Sequence, residues 1–121
     1  MARESPFPDP DEVAWYGPEQ TRRSWELIGQ HGNYGARWII DVRFECADAS
    51  TAERLETHLR AAFERVELRQ GEPSMPSPWE IVAHTGVRPL TEDWFFSIRQ
   101  LIADAILQFR CHCRSFNGRA A

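Results

Sequence analysis

Apolar and polar residues alternate along the segment from Arg37 to Cys46. The apolar positions are Trp38, Ile40, Val42, Phe44 and Cys46, and the positions between them are Arg37, Ile39, Asp41, Arg43 and Glu45. Because successive side chains point to opposite faces of a strand, this pattern predicts a β-strand with one face in a core. The charged residues on the other face favour a sheet that helices cover on one side only.

Three segments carry apolar residues at helical spacing. The first runs from Glu19 to Gln30. The second, from Thr51 to about Phe63, begins at Ser50-Thr51-Ala52-Glu53, which has the spacing of a capping box. The third follows Thr91, a predicted N-cap, and runs to about Gln108 with acidic residues in its first turn. The sequence therefore predicts a short leading helix and two longer helices.

Three further segments alternate or are rich in strand-forming residues: Arg65–Arg69, Trp79–Thr85 and Cys111–Phe116. A proline-rich loop, residues 71–78, separates the first two, and Asn117-Gly118 is predicted to end the last. The order after the leading helix is therefore β-α-β-β-α-β. That order predicts an α+β, ferredoxin-like sandwich, in which a four-stranded antiparallel sheet carries two helices on one face, with an additional N-terminal helix.

The chain divides into two predicted regions. Residues 1–18 contain four prolines and are predicted to form an extended Pro-rich N-terminal arm. Residues 19–118 are predicted to form a single ferredoxin-like domain. The first and third strands of that domain are expected to lie side by side, so that their polar sides form one open surface. The candidate partner-binding residues on it are Arg37, Asp41, Arg43, Glu80, His84, Arg114 and Phe116.

Composition narrows the classes of partner. The 121 residues carry a formal net charge of −4, and the 14 cationic residues, all arginine, are spread along the chain. This balance does not favour direct nucleic-acid binding. No apolar run is long enough for a membrane span, and the first residues lack the apolar core of a signal peptide. With three cysteines and no disulfide framework, we expect a cytoplasmic protein, either a monomer or a homodimer.

Cys111-His112-Cys113, together with His84 and Cys46, is the sequence's most suggestive metal-binding pattern. Structural zinc sites usually separate paired cysteines by two to four residues on a turn, whereas one residue separates these two on a predicted strand. The cysteines are therefore expected to be core residues. No phosphate-binding, dinucleotide-binding or hydrolase motif occurs. We expect no metal, no cofactor and no catalytic residue.

The chain resembles the family of the regulator of ribonuclease E activity B, a small bacterial ferredoxin-like inhibitor. The resemblance covers roughly residues 19–118 and includes the strand Trp38-Ile39-Ile40-Asp41-Val42-Arg43-Phe44 and the helix Ala52–Phe63. It continues through Trp79-Glu80-Ile81-Val82-Ala83 and Leu90-Thr91-Glu92-Asp93 into a helix closing at Phe109. The family's last strand typically ends in Tyr-Asp-Gly-Trp, whereas this chain has Cys113-Arg114-Ser115-Phe116 and keeps only the final aromatic residue.

Three hypotheses of function follow. The first is a non-catalytic regulator that docks on a partner protein, and the resemblance implies ribonuclease E as that partner. The alternative is a dimeric ferredoxin-like module that binds a small-molecule effector in a pocket lined by Trp or Phe. The third is a cofactor-free or metal-assisted enzyme on the same open surface, where Asp41, Glu80 and His84 could hold an acid/base pair.

Overall fold

The computed structural model describes residues 9–71, 78–109 and 111–121. In these ranges the chain is an α+β protein with four helices and a five-stranded antiparallel sheet. The helices are α1 (Pro10–Trp15), α2 (Pro18–Gln30), α3 (Ala49–Leu59) and α4 (Glu92–Phe109). The strands are β1 (Arg37–Cys46), β2 (Arg65–Gln70), β3 (Trp79–His84), β4 (Arg88–Pro89) and β5 (His112–Ala120). The middle of the predicted 71–78 loop and the start of the predicted arm lie outside the described residues.

β1 is the central strand of the sheet. It pairs with β3 and then β4 along one side and with β5 along the other, while β2 pairs with the outer side of β3. In the β1–β3 register, Asp41 lies opposite His84 and Phe44 lies opposite Ile81. The predicted neighbourhood of the first and third strands is thus observed.

The strand count differs from the predicted four because the third strand is interrupted after His84. Thr85 donates its N–H to the Ile40 carbonyl at 3.0 Å. In the other direction, the Ile40 N–H donates to the Thr85 side-chain Oγ1, also at 3.0 Å. Gly86 follows with φ +75°, a conformation that favours glycine. A side-chain oxygen and a glycine kink therefore break the ladder, and the chain rejoins β1 as the short strand β4.

α3 begins and ends earlier than predicted. Its N-cap is Asp48, whose carboxylate accepts the Thr51 N–H at 2.8 Å, so the predicted capping box at Ser50 is not the cap used. The helix ends at Leu59. The predicted cap of the last helix is observed, because Thr91 Oγ1 accepts the Trp94 N–H at 3.3 Å.

The core lies between the helices and one face of the sheet. Every predicted inward residue of β1 is buried. Most of the apolar residues predicted for the two longer helices are also buried, while Ala62, Trp94 and Leu101 are partly buried. The largest fully buried side chains include Phe44, Phe95, Ile40, Leu55, Leu59, Ile81, Leu90, Ile102 and Ile106. Full burial of one such side chain stabilises the fold by about 1.5–3 kcal/mol. The core is therefore sealed on the helical side of the sheet.

The described part of the predicted extended arm is helical. Asp9 caps α1 by accepting the Asp11 N–H at 3.0 Å, and Pro10 occupies the first turn, where a missing N–H costs nothing. One oxygen of the Glu12 carboxylate then accepts the Cys113 N–H at 2.6 Å, and the other contacts His112 Nδ1 at 3.1 Å. α1 therefore pairs with the start of the free edge of β5, where an unpaired N–H would otherwise be available for association.

Candidate functional site

The outward side chains of the sheet form one continuous surface, which we call the open sheet face. The register of the strands defines its members, since residues directly opposite one another share a face. They are Arg37, Ile39, Asp41, Arg43 and Glu45 on β1, Glu80, Val82 and His84 on β3, Arg65, Glu67 and Arg69 on β2, Pro89 on β4, and His112, Ser115, Asn117 and Arg119 on β5. Arg114 of β5 joins them through its ion pair with Glu45. All of them are exposed or half-buried.

Ion pairs between neighbouring strands cross the open sheet face. Arg43 Nε lies 3.4 Å from Glu80 Oε1, which links β1 to β3. Arg114 Nε lies 3.1 Å from Glu45 Oε1, which links β5 to β1. Each exposed pair contributes little stability, about 0–1 kcal/mol. Their main effect is to hold long arginine side chains in defined positions.

Asp41 holds the most connected position on this face. One carboxylate oxygen contacts His84 Nδ1 and the other contacts Arg119 Nη1. Partial burial opposes ionisation, but the hydrogen bonds from His84 and Arg119 outweigh it and lower the pKa of Asp41 below its ordinary 3.8. The carboxylate is therefore charged at neutral pH and orients the His84 ring, an arrangement that could also hold a proton in an acid/base pair.

The open sheet face is positive although the chain is negative. It carries six arginines against four carboxylates, a formal charge of +2 with the histidines neutral. The whole chain is at −4, so the residues outside this face sum to −6. Charge is thus distributed unevenly between this face and the rest of the chain, a feature that summed composition conceals.

Six of the seven predicted partner-binding residues share the open sheet face, and Phe116 does not. The register shifts between Arg43, which faces Ser115, and Phe44, which faces Cys113. Arg114 is the extra residue of this β-bulge, and the bulge reverses the alternation that follows it. Phe116 consequently points to the helical side, where its ring lies 6.3 Å from that of Phe95. The predicted placement of Phe116 on the open sheet face is therefore wrong.

Sequence reasoning missed several members of the open sheet face. Arg119 was missed because the last strand was expected to end at Asn117-Gly118, whereas β5 runs on to Ala120. Gly118 is needed inside the strand, since a Cβ there would lie 2.6 Å from the Trp38 ring. Arg65 and Arg69 were predicted to lie on a strand, and their alternation already indicated that they share one face.

A second feature lies on the helical side of the sheet next to β5. Its residues were not predicted from the sequence. It is a pocket of about 450 Å³ between α1, α2, α4 and the last strand. We call it the aromatic pocket and define it by Trp15, Tyr16, Trp38, Phe95, Phe116 and Arg99, all of which line it. An aromatic pocket is the feature that the effector-binding hypothesis requires.

Two arginines, Arg99 and Arg114, line the aromatic pocket; Arg99 is the buried one and is only 3% exposed. Its Nε donates to Thr21 Oγ1 at 3.2 Å, and its Nη2 donates to the Trp15 carbonyl at 2.5 Å. The guanidinium also lies 4.7 Å from the Tyr16 ring centroid and 5.0 Å from that of Phe116. Burial lowers the pKa of Arg99 from its ordinary 12.5, yet a guanidinium stays protonated in proteins.

The three cysteines are buried, free thiols. The hydrogen bond with Cys46 raises the pKa of the Cys111 thiol, and burial raises it further. Burial also raises the pKa of Cys113 to about 12. Over the ranges that the structure describes, no group of three or more His, Cys, Asp or Glu side chains is placed to hold a metal ion. The thiols therefore lack the exposed, electropositive setting of a reactive cysteine.

Comparison with protein-family models, with curated proteins and with solved structures finds no match to this chain. Among the helices described, none is long and apolar enough to cross a membrane. The class that the structure defines is therefore an α+β protein with an antiparallel sheet, one charged open sheet face and one aromatic pocket.

Proposed function

We propose that this protein is a non-catalytic regulator that docks the open sheet face on an acidic surface of a partner protein. The observation that carries the proposal is the uneven distribution of charge, +2 on this face against −4 for the chain as a whole. Complementary potentials speed association and select among partners. An acidic partner surface would meet this face and be repelled by the rest of the molecule.

The residue types on the face also suit a protein interface. Arginine is enriched at interfaces, and the ion pairs of Arg43 and Arg114 hold two such side chains in place before binding. Ile39 and Val82 are half-buried apolar residues among the charges. A docked partner would remove both from water, which adds a hydrophobic contribution at about 25 cal/mol per Å² of apolar area buried.

We also propose that the arrangement is that of a ferredoxin-like sandwich of the regulator of ribonuclease E activity B family. Supporting this, the longer strands follow the order β2-β3-β1-β5, and α3 and α4 each connect two of them. The family's resemblance makes ribonuclease E the partner to test and the cytoplasm the place of action. β4 and α1 are then additions to the shared frame.

Titration calorimetry with ribonuclease E from the same source tests the proposal. Arg43→Glu reverses a charge on the open sheet face, and Arg23→Glu makes the same change on the exposed surface of α2 as a matched control. We expect micromolar or tighter binding that Arg43→Glu abolishes and Arg23→Glu retains. Equal loss in both variants, or no binding of the wild type near 100 µM, about −5.5 kcal/mol, would contradict the proposal.

A dimeric effector-binding module is the second candidate function, and the aromatic pocket is the observation that favours it. In that case two open sheet faces would pack together and bury Ile39 and Val82. Sedimentation equilibrium separates the candidates. A dimer that Arg43→Glu dissociates would favour the module, whereas a monomer at all concentrations would leave the open sheet face free for another protein.

A further inference from the structure

Arg99 is a buried cation that no carboxylate neutralises. Its contacts are a hydroxyl, a carbonyl and aromatic rings, and no Asp or Glu of the described residues forms an ion pair with it. Removing a charge from water costs several kcal/mol unless partners compensate. Two hydrogen bonds and three cation–π contacts, the latter about 0.5–2 kcal/mol each, compensate this cost without cancelling the charge. The site is therefore electrostatically prepared for an anion.

Two hydrogen-bond donors at the aromatic pocket are unused. Arg99 uses Nε and Nη2, while its Nη1 makes no hydrogen bond to any residue in the described ranges. The Trp38 Nε1–H is buried and is likewise without an acceptor among the residues described. Buried donors are nearly always satisfied, and leaving the Trp38 donor unpaired costs about 1–3 kcal/mol. Both side chains belong to the lining of the same pocket.

The remaining walls are mainly apolar and aromatic, and Ser24, Arg114 and Ser115 add polar groups to them. Phe95, Phe116 and Tyr16 pack around Arg99, and Trp15 and Leu27 at the pocket are more than half exposed. The volume of about 450 Å³ lies within the range of small-molecule pockets, about 300–1,000 Å³. Flat aromatic walls suit a flat apolar body, and the Arg99 guanidinium suits an anionic group at its end.

We propose that the aromatic pocket binds a small organic carboxylate with an aromatic body, whose carboxylate pairs with Arg99. The ligand's ring lies against Trp15 and Phe116, and its carboxylate takes the place of the missing counter-ion. This proposal deepens the effector-binding candidate by naming its ligand class, but it requires neither dimerisation nor docking of a protein on the open sheet face.

Calorimetry with indole-3-acetate and phenylacetate, each compared with its neutral amide, tests the proposal. We expect the carboxylates to bind at least tenfold more tightly than the amides, because only they neutralise Arg99. Inorganic phosphate is expected to bind at least tenfold more weakly than either carboxylate, because it leaves the apolar walls uncovered. Equal binding of acid and amide, phosphate binding as tight as the carboxylates, or no carboxylate binding at 1 mM, would overturn the proposal.

Variants locate the site. Arg99→Gln removes the charge, and we expect it to weaken carboxylate binding at least tenfold. Since Arg99 also supports α1 and α2, circular dichroism must first show that the variant is folded. Trp38→Phe keeps an aromatic ring at this position but replaces the indole by a smaller phenyl ring without the Nε1–H, so it tests the site without touching those supports. At least one of the two variants must weaken carboxylate binding fivefold or more, or the assignment fails.

Arg43→Glu is the control that separates this inference from the docking proposal. It changes a residue of the open sheet face and leaves the lining of the aromatic pocket intact. We expect it to retain carboxylate binding within twofold even if it abolishes binding of the partner protein. A carboxylate affinity that falls with Arg43→Glu but not with Arg99→Gln would place the anion on the sheet instead and overturn the inference.

Discussion

Thr85→Val tests the account of how the third strand is broken. Thr85 is 1% exposed, and its Oγ1 accepts the Ile40 N–H at 3.0 Å and donates to the Gly86 carbonyl at 2.8 Å. Valine has the same shape but cannot accept or donate, so the buried Ile40 N–H loses its partner. A buried donor without an acceptor costs about 1–3 kcal/mol, and the added methyl group returns part of that. We expect a net loss of about 2 kcal/mol.

Thermal unfolding converts this loss into a measurable shift. An unfolding entropy of about 2.1 cal/mol/K per residue gives about 0.25 kcal/mol/K for this chain length, so Tm should fall by about 8 °C. Thr57→Val is the matched control, because the Thr57 hydroxyl donates to the Glu53 carbonyl on the exposed side of α3. Surface changes of this kind usually stay within about 0.5 kcal/mol. Equal Tm values for the two variants would refute the role given to Thr85.

Three further predictions address other parts of the structure. Gly118→Ala places a Cβ 2.6 Å from the Trp38 ring. This overpacking should lower the free energy of unfolding in urea by about 1–3 kcal/mol and alter tryptophan fluorescence, and an unchanged urea midpoint would contradict the close packing. Asp41 has a lowered pKa in the folded state, so the stabilisation from its ionised carboxylate is present at pH 7 and lost as pH falls through that pKa. Asp41→Asn should therefore lower the free energy of unfolding by up to about 1 kcal/mol at pH 7. A stability difference between wild type and variant that is as large at pH 3 as at pH 7 would contradict the lowered pKa. Cys113, with a pKa of about 12, should react with an aromatic disulfide reagent at pH 8 only after denaturation, and rapid labelling of the native protein would refute its burial.

The central part of the fold could be predicted from local patterns. The alternation from Arg37 to Cys46 gives the bounds of β1 and its buried residues. A strand with helices on one side and water on the other requires apolar and polar residues to alternate along the sequence. The start of α4 could be predicted for a similar reason, since Thr91 has the chemistry of an N-cap. These features depend on neighbouring residues only.

The features that could not be predicted depend on distant contacts. No composition marks Arg114 as an inserted bulge residue, yet this single insertion decides the side on which Phe116 lies. α1 was missed because prolines argue against helices, although Pro10 and Pro18 occupy first turns where proline fits.

The aromatic pocket could not be predicted either, because it depends on contacts between distant parts of the chain. Arg99 lies next to Ile98 on a helix whose apolar stripe was recognised, but its burial requires α1 and α2 to cover that side of α4. Such cover joins residues more than 70 positions apart in the chain. Helical periodicity reports only which side of α4 faces the sheet.

Methyl NMR of the protein titrated with ribonuclease E tests whether the open sheet face is the docking surface. Ile39 and Val82 report from this face, while the fully buried Ile106 and the exposed Leu107 report from the core and the opposite helical surface. If the open sheet face docks on the partner, the Ile39 and Val82 methyl signals will shift or broaden while those of Ile106 and Leu107 stay in place. Changes at Leu107 with none at Ile39 or Val82 would contradict it.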